Sequence, residues 1–354
     1  MGALHAAGFT LDERAGADDR VLAWIDETFG GSWSGEVFVA HNAIVRRDGD
    51  PVGFVSYDPV GLRFAWLRGV AAQPGVGVFG PFGVERSHRG GIVGASLLTI
   101  ALCALRERGF RAAVIPAITS ERLVAYYALR ARAREVESFD TRAFVATPVR
   151  TAVLASGNGS NLQTVLDRVA DGTLPLEIVA FVTNRAQAFA IERARRAGIA
   201  RIAVEPWNRK TTPRASYDAH LRETLTREAP ELVLLLGWMH LLDTAFVTSF
   251  SQMLNIHPAF LPLDPSRDEV GLPDGSSMPA FRGAHAVADA LAMKSAWVGA
   301  SVHRVTSHTD RGPILVRKPM RVGSDESEAD VLARLHPIEH ELVERGVKRW
   351  LYER

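Results

Sequence analysis

Thr151-Ala152-Val153-Leu154-Ala155-Ser156 runs directly into Gly157-Asn158-Gly159-Ser160-Asn161, and then into Leu162-Gln163-Thr164-Val165-Leu166-Asp167-Arg168-Val169-Ala170. An apolar run of strand length, a glycine-rich turn, and a stretch with Leu162, Val165, Leu166 and Val169 on one helical face spell strand, loop, helix. Gly157 and Gly159 let the backbone turn tightly and approach a ligand. Ser160 is expected as the N-cap, and the free N–H groups of the next turn point outward. That makes an anion site suited to a phosphate. A plain strand-to-helix turn is the competing reading, because glycine-rich turns are common.

The same alternation continues along the chain. Strands are expected over 177–183, 199–204, 232–236 and 253–257, with helices over 161–170, 186–197 (stopped by Gly198) and 216–228. Alternating units of this kind imply α/β architecture, a doubly wound, mostly parallel sheet covered on both faces. The end differs: strands over 297–306 and 313–321 follow one another, which suggests antiparallel pairing, and helical stretches to 352 break near Pro337. Upstream, residues 1–146 read as α+β. A helix near 19–28 precedes strand-like segments 36–46 and 51–57, a strand 76–84, a helix 92–108, a strand 110–115 and a helix 119–132. The short stretch 146–150, with Pro148, is the expected boundary between domains 1–146 and 150–354.

Composition sets bounds on function. The chain of 354 residues suits two domains, and its 47% hydrophobic and 23% charged residues are those of an ordinary globular protein. Forty-one basic and 40 acidic side chains give a formal net charge of +1, so neither a nucleic-acid nor a membrane footprint is expected. No apolar stretch has the length of a membrane-spanning helix, and the first residues carry acids rather than a signal-peptide core. The single cysteine, Cys103, excludes an intramolecular disulfide and points to a reducing, cytoplasmic compartment. Its place in the apolar run 94–105 suggests a buried structural thiol.

Two further constellations carry chemistry. In Asn255-Ile256-His257-Pro258, residues two apart on a strand face the same side, so Asn255 and His257 project together at the carboxyl edge where open α/β sheets place their sites. A carboxamide donor beside an imidazole suits acyl transfer, in which an oxyanion develops and a proton moves near neutral pH. Asp310, in Thr309-Asp310-Arg311-Gly312-Pro313, lies between the last two strands, where a carboxylate near His257 would favour the imidazolium and orient it. Taken singly, each also reads as a cap, a surface histidine or a turn.

Together these segments resemble the glycinamide ribonucleotide formyltransferase family, the purine-synthesis enzymes that use 10-formyltetrahydrofolate. The resemblance rests on Ala155–Leu162, Ala188–Ile199, Leu254–Pro258, Gly299–His303, and Asp310 ahead of Gly312-Pro313, in that order. It implies a Rossmann-like formyltransferase fold and roles by position. Asn255, His257 and Asp310 match the family's catalytic trio. Gly157, Asn158, Gly159, Ser160 and Asn161 match the loop that holds the ribonucleotide phosphate, and Glu339 a glutamate that contacts the acceptor. Trp238, Met239 and Leu242 match the apolar cleft for the folate ring. The implied reaction is attack of the substrate amine on the formyl carbon, with Asn255 and protonated His257 on the oxyanion and Asp310 supporting His257 and the water that relays the proton.

The chain departs from the family in three places. His240 stands where arginine is common. The stretch from Pro262 to Pro279, centred on 263–280, reads as an inserted, solvated loop; its acids Asp264, Asp268, Glu269 and Asp274 show no ligand spacing, and no metal is expected. Phe281-Arg282-Gly283-Ala284-His285 replaces a Pro-Gly-x-His pattern. That last change leaves open a different phosphorylated amine as acceptor.

The N-terminal part resembles GNAT-type N-acetyltransferases. Strand 76–84, then Arg89-Gly90-Gly91-Ile92-Val93-Gly94, then the helix from Ala95 is the arrangement that family uses to cradle the acetyl-CoA pyrophosphate. Arg89, Gly90, Gly91 and Gly94 are the acetyl-CoA candidates, with Ile92 standing where a motif glycine belongs. Tyr126-Tyr127 falls on the helix where some members place a general acid, although aromatic pairs also serve as core. An acetyltransferase, an acetyl-CoA sensor and a structural or dimerisation module (a homodimer) stay open for this domain, since fold alone does not fix function. The partners expected throughout are small molecules.

Overall fold

The computed structural model describes residues 2–31, 33–58, 73–118, 120–136 and 147–354. The chain forms two compact units. The first comprises 1–141 with 273–276 and 352–354, the second 142–272 with 277–351.

The first unit runs α1 (Gly2–Ala6), β1 (Thr10–Ala15), α2 (Asp19–Phe29), α3 (Ser34–Val39), β2 (His41–Arg47), β3 (Asp50–Tyr57), β4 (Val76–Val84), α4 (Ile92–Glu107), β5 (Ala112–Val114) and α5 (Glu121–Ala131). Among the described residues its five strands lie in chain order, antiparallel from β1 to β4 and parallel between β4 and β5. Asp18 caps α2 by accepting from the Val21 N–H at 2.9 Å, and left-handed Gly30 ends it. Residues 36–46, expected as one strand, divide: 34–39 are helical and β2 begins at His41. Val37, Phe38 and Val39 favour strands locally, but buried Val37 packs as part of a short helix. The core gathers Val45, Val55, Phe79, Val93, Leu97 and Leu105. Cys103, expected in that core, is exposed, because α4 turns Leu98, Ala101 and Leu105 inward and leaves 103 on the opposite face. Thr119 and Ala146, within the expected helix 119–132 and the expected linker, lie outside the described residues.

The second unit runs β6 (Val149–Leu154), α6 (Ser160–Ala170), β7 (Leu176–Thr183), α7 (Ala190–Arg196), β8 (Arg201–Val204), α8 (Arg214–Thr226), β9 (Leu232–Leu235), α9 (Thr244–Ser249), β10 (Met253–His257), β11 (Glu269–Gly271), β12 (Ser277–Pro279), α10 (Ala286–Ala292), β13 (Trp297–Arg304), β14 (Ile314–Arg321) and α11 (Glu328–Glu353). Seven strands lie in the order β14-β13-β10-β9-β6-β7-β8. All pairs are parallel except β10·β13 and β13·β14. The strand order reverses between β6 and β9, so the loops leaving those two strands flank the crevice where open sheets bind ligands.

Several local expectations change. The helix expected from Ala186 starts at Ala190. Pro337 does not break the last helix, which continues through it. A proline deletes one backbone donor and crowds the preceding turn, but Val331, Leu335, Leu342, Val343, Val347 and Trp350 form a buried face on both sides of it. The inserted segment is not simply a solvated loop: β11 and β12 pair antiparallel, and Val270, Leu272 and Met278 are buried. No helix among the described residues is long and apolar enough to cross a membrane.

Candidate active site

Asn255 and His257 sit near the carboxyl end of β10, with Leu254 and Ile256 buried between and beside them. The antiparallel partner β13 sets His303 directly opposite Asn255 and Ser301 opposite His257. Asp310, in the β13–β14 connection with φ +50°, reaches back to the same spot. The Asn255 amide Nδ2 lies 3.4 Å from Asp310 Oδ1 and 3.2 Å from His303 Nε2. Asp310 Oδ1 is 3.3 Å from His303 Nε2, and Oδ2 is 3.7 Å from His257 Nδ1. Gly283 N–H donates to Asp310 Oδ2 at 2.9 Å. His257 Nε2 donates to the Phe281 carbonyl at 2.8 Å.

This geometry fixes protonation. A carbonyl can only accept, so the His257 Nε2 carries a proton in every state. Nδ1, too far from Asp310 for a hydrogen bond, is the nitrogen left to gain and lose one. Burial drives the His257 pKa down; the Asp310 charge opposes that, and the positive charges of His303 and Arg282 reinforce it. Burial alone would raise the Asp310 carboxyl. The His303 hydrogen bond, the charges of His257 and His303, and the Gly283 N–H outweigh it and hold Asp310 well below the usual carboxylate range. The site therefore keeps a buried carboxylate ionised beside an imidazole whose neutral form burial favours.

The loop after β6 forms the second part. Gly159, not Ser160, takes the capping position of α6, with φ +77° and no side-chain cap. The reason is steric: a Cβ on Gly159 would stand 2.6 Å from the Ala190 Cβ, so the loop passes flush against α7. Ser160 is the first helical residue instead, and the N–H groups of this turn have no carbonyl inside the helix to bond. Arg193 of α7 grips Asn158 twice, Nε on its carbonyl at 3.0 Å and Nη2 on Oδ1 at 2.9 Å. Buried Asn161 donates to Glu339 Oε2 at 3.4 Å. Burial pushes Glu339 up to about 7 despite that hydrogen bond.

The loop after β9 forms the third. Ser156 ties it to the β6 loop, accepting from Met239 N–H at 3.1 Å and donating its own N–H to the Gly237 carbonyl. Trp238 and Leu242 pack on the core, while Met239 is exposed. His240 meets the rings of Trp207, Tyr217 and Trp238 edge-on at 5.5–5.8 Å. Burial, then the charges of Arg214 and Arg209, lower its pKa. The Trp238 Nε1 and His240 Nδ1 are buried without a hydrogen-bond partner. Two orphaned polar nitrogens among apolar rings fit a heteroaromatic ligand that offers its own polar edge. Among the described residues, no cluster of His, Cys, Asp and Glu could hold a metal.

The resemblance named Asn255, His257 and Asp310 as a trio, and the structure sets the Asp310 carboxylate against both, hydrogen-bonded to Asn255 and 3.7 Å from His257 Nδ1. Sequence reasoning missed His303, whose role depends on the β10·β13 register, although Gly299–His303 is one of the stretches that carry the resemblance. Arg193 likewise lies inside a matched stretch to which no role attaches. The Phe281 carbonyl and Gly283 N–H are backbone groups with no side-chain signature.

A mostly parallel sheet with an Asn–His–Asp group at its carboxyl edge and a glycine-rich strand-to-helix loop beside it defines an acyl-transfer enzyme of α/β class. The formyl transferase family model matches residues 149–263 and 274–347. The chain belongs to that family. It is 35% identical over 189 residues to phosphoribosylglycinamide formyltransferase of Escherichia coli (strain K12), covering 53% of this chain and 80% of that protein. It is 34% identical over 205 residues to the enzyme of the same name from Mycobacterium tuberculosis (strain ATCC 25618 / H37Rv), covering 56% and 84%. Among solved structures, glycinamide ribonucleotide transformylase 1 from Symbiobacterium toebii superposes with a TM-score of 0.50 at 30% identity, over 61% of this chain and 92% of that one.

Proposed function

We infer that the C-terminal unit transfers the formyl group of 10-formyltetrahydrofolate to the amine of glycinamide ribonucleotide, a step of purine biosynthesis. The observation that carries this reading is the Asn255–His257–Asp310 group, joined through 2.9–3.7 Å contacts to His303 and Gly283, on a family-matched chain. The folate co-substrate supplies an electrophilic formyl carbon. The Asn255 amide is the donor for the oxyanion that develops on the formyl oxygen. His257 holds one proton on the Phe281 carbonyl and takes up a second at Nδ1, so its ring becomes a positive charge beside that oxygen. Asp310 stays ionised, steadies that charge and accepts from the water that relays the proton lost by the attacking amine. Gly157–Asn161 and Glu339 are assigned to the ribonucleotide, its phosphate on the α6 N–H groups. Trp238, Met239 and Leu242 are assigned to the folate ring. Release of folate, followed by absorbance, tests this. Turnover must require both substrates and collapse in Asn255→Ala and Asp310→Asn; turnover that survives in both variants sinks the assignment.

For residues 1–146 we propose a GNAT-like domain that takes acetyl-CoA at Arg89–Gly94. Two observations support it. Helix α4 opens at Gly91 with no side-chain cap, leaving its first N–H groups to a ligand. Ile92, which replaces the expected glycine, packs against the hydrophobic core and so does not fill the cradle. The proposed setting is the cytosol, with small molecules as partners.

A further inference from the structure

The segment Phe281-Arg282-Gly283 meets the reacting pair three times. The Phe281 carbonyl receives His257 Nε2–H at 2.8 Å, the Gly283 N–H reaches Asp310 Oδ2 at 2.9 Å, and Arg282 Nε donates to the Asp310 carbonyl at 3.2 Å. Only the last contact depends on a side chain. The other guanidinium donors turn outward into the segment the family model skips, 264–273. Nη1 bonds Asp268 Oδ1 at 3.1 Å and Nη2 bonds the Arg267 carbonyl at 2.8 Å. Arg311, the neighbour of Asp310, pairs through Nη2 with the same oxygen of Asp268, and its Nη1 bonds the Pro265 carbonyl at 2.9 Å. Asp268 thus gathers two arginines, one from each loop that serves the reacting pair. Arg282 is largely buried, at 13% side-chain exposure, while Asp268 is 74% exposed, so the anchor lies at the surface and the fork reaches inward.

The Asp310 loop needs such a tie. Asp310 sits at φ +50°, a left-handed region that non-glycine residues adopt uncommonly, whereas Gly283 at φ +97° is where glycine is at ease. A planar guanidinium offers fixed donors to three acceptors in two loops at once, which a lysine ammonium cannot reproduce. We propose that Arg282, anchored by Asp268 of the inserted segment, is a positioning residue that holds the Phe281 carbonyl on His257 and the Asp310 carboxylate beside it. The inference rests on the formyl-transfer reading of this site. It gives the insertion a function: a surface carboxylate that sets the geometry of a buried pair.

The test uses the full-length chain and its Arg282→Gln, Arg282→Lys and Asp268→Asn variants, each checked for folding by thermal melting. Arg282→Gln is expected to lower kcat about 10- to 100-fold, with KM for both substrates within about threefold, because geometry rather than ground-state binding is lost. Arg282→Lys should recover only part of that loss. Asp268→Asn, a surface change that leaves the core intact, should cost about 3- to 10-fold in kcat. The His257 ring gives a second readout that needs no substrate. Its 15N shifts should report a single Nε2–H neutral tautomer in the wild type and a mixture in Arg282→Gln. The charges facing that ring are Asp310, His303 and Arg282, so its titration should also move upward when Arg282 is removed. The proposal is overturned if Arg282→Gln keeps kcat within twofold and the tautomer unchanged, or if Arg282→Lys restores full activity, which would leave charge rather than the fork as the cause. If the wild type fails to formylate glycinamide ribonucleotide, the formyl-transfer reading falls, and the tautomer measurement still decides the clamp.

Discussion

Two glycine-rich loops in this chain lead from a strand into a helix, and they are built differently. Before α6, Gly159 is pressed against Ala190, and Arg193 crosses from α7 to hold Asn158 at both its carbonyl and its side chain. Before α4, a Cβ added at Gly90 would meet nothing within 4 Å, and Arg89 folds back on its own strand, Nε to the Val84 carbonyl at 2.9 Å. The first loop is shaped by its neighbours before any ligand arrives; the second is open. A preshaped loop spends little of its binding energy on ordering, whereas an open one must order as it binds.

The largest effect should come from the preshaped side. Asp310→Asn is expected to reduce kcat/KM about a thousandfold, because it removes the charge that supports His257 and a hydrogen-bond acceptor at once. Steady-state kinetics check this, and a loss under tenfold would detach Asp310 from the chemistry. Next is Glu339. Its folded pKa of about 7 lies above the ordinary 4.5, so the unfolded chain gives up this proton first. Stability is therefore lost as pH rises between those values, by about 3 kcal/mol, and is level above about 7. Denaturant melts of wild type and Glu339→Gln across that range should converge at low pH and part at high pH, the variant being the more stable.

The glycine pair sharpens the comparison directly. Gly159→Ala joins a left-handed backbone to a Cβ clash with Ala190 and should cost about 2–4 kcal/mol. Gly90→Ala, with φ +80° and open space, should cost about 1 kcal/mol. Equal costs in thermal melts would erase the distinction between the loops. The remaining effect is that of acetyl-CoA on the N-terminal unit. At a hundredfold excess over its Kd, bound ligand adds about 2.7 kcal/mol, a rise of about 10 °C in the melting temperature. No shift at millimolar acetyl-CoA would remove the basis for that assignment, and a shift abolished by Arg89→Ala would strengthen it.

Much of this was legible in the chain. The buried strands β6, β7, β9 and β10 announce themselves as apolar runs between turns, because a parallel strand buried on both faces has no polar side to hide. Asn255 and His257 follow from the period of a strand. What was not legible depended on tertiary contact. Val37-Phe38-Val39 looks like a strand and packs as a helix. Pro337 looks like a stop, yet buried faces on either side carry the helix through. Cys103 lies in an apolar run but points outward, since a helix can bury only one stripe. In the site, Asp310 could be named but not placed, and His303 acquires a role only through its cross-strand partner. The Phe281 carbonyl and the Gly283 N–H belong to no residue type at all.

The β10·β13 pairing has a consequence for synthesis on the ribosome. Strand β10 gains its parallel neighbour β9 as soon as it emerges, but its antiparallel neighbour begins only at Trp297, after residues 258–296 have been made. Through that interval Met253–His257 is an outer strand with one row of backbone N–H and C=O groups unsatisfied, the type of edge on which nascent chains stick to one another. The arrival of β13 closes that edge and delivers His303 beside Asn255 in the same event. A partly made chain is therefore adhesive and inactive together, and one pairing step ends both conditions.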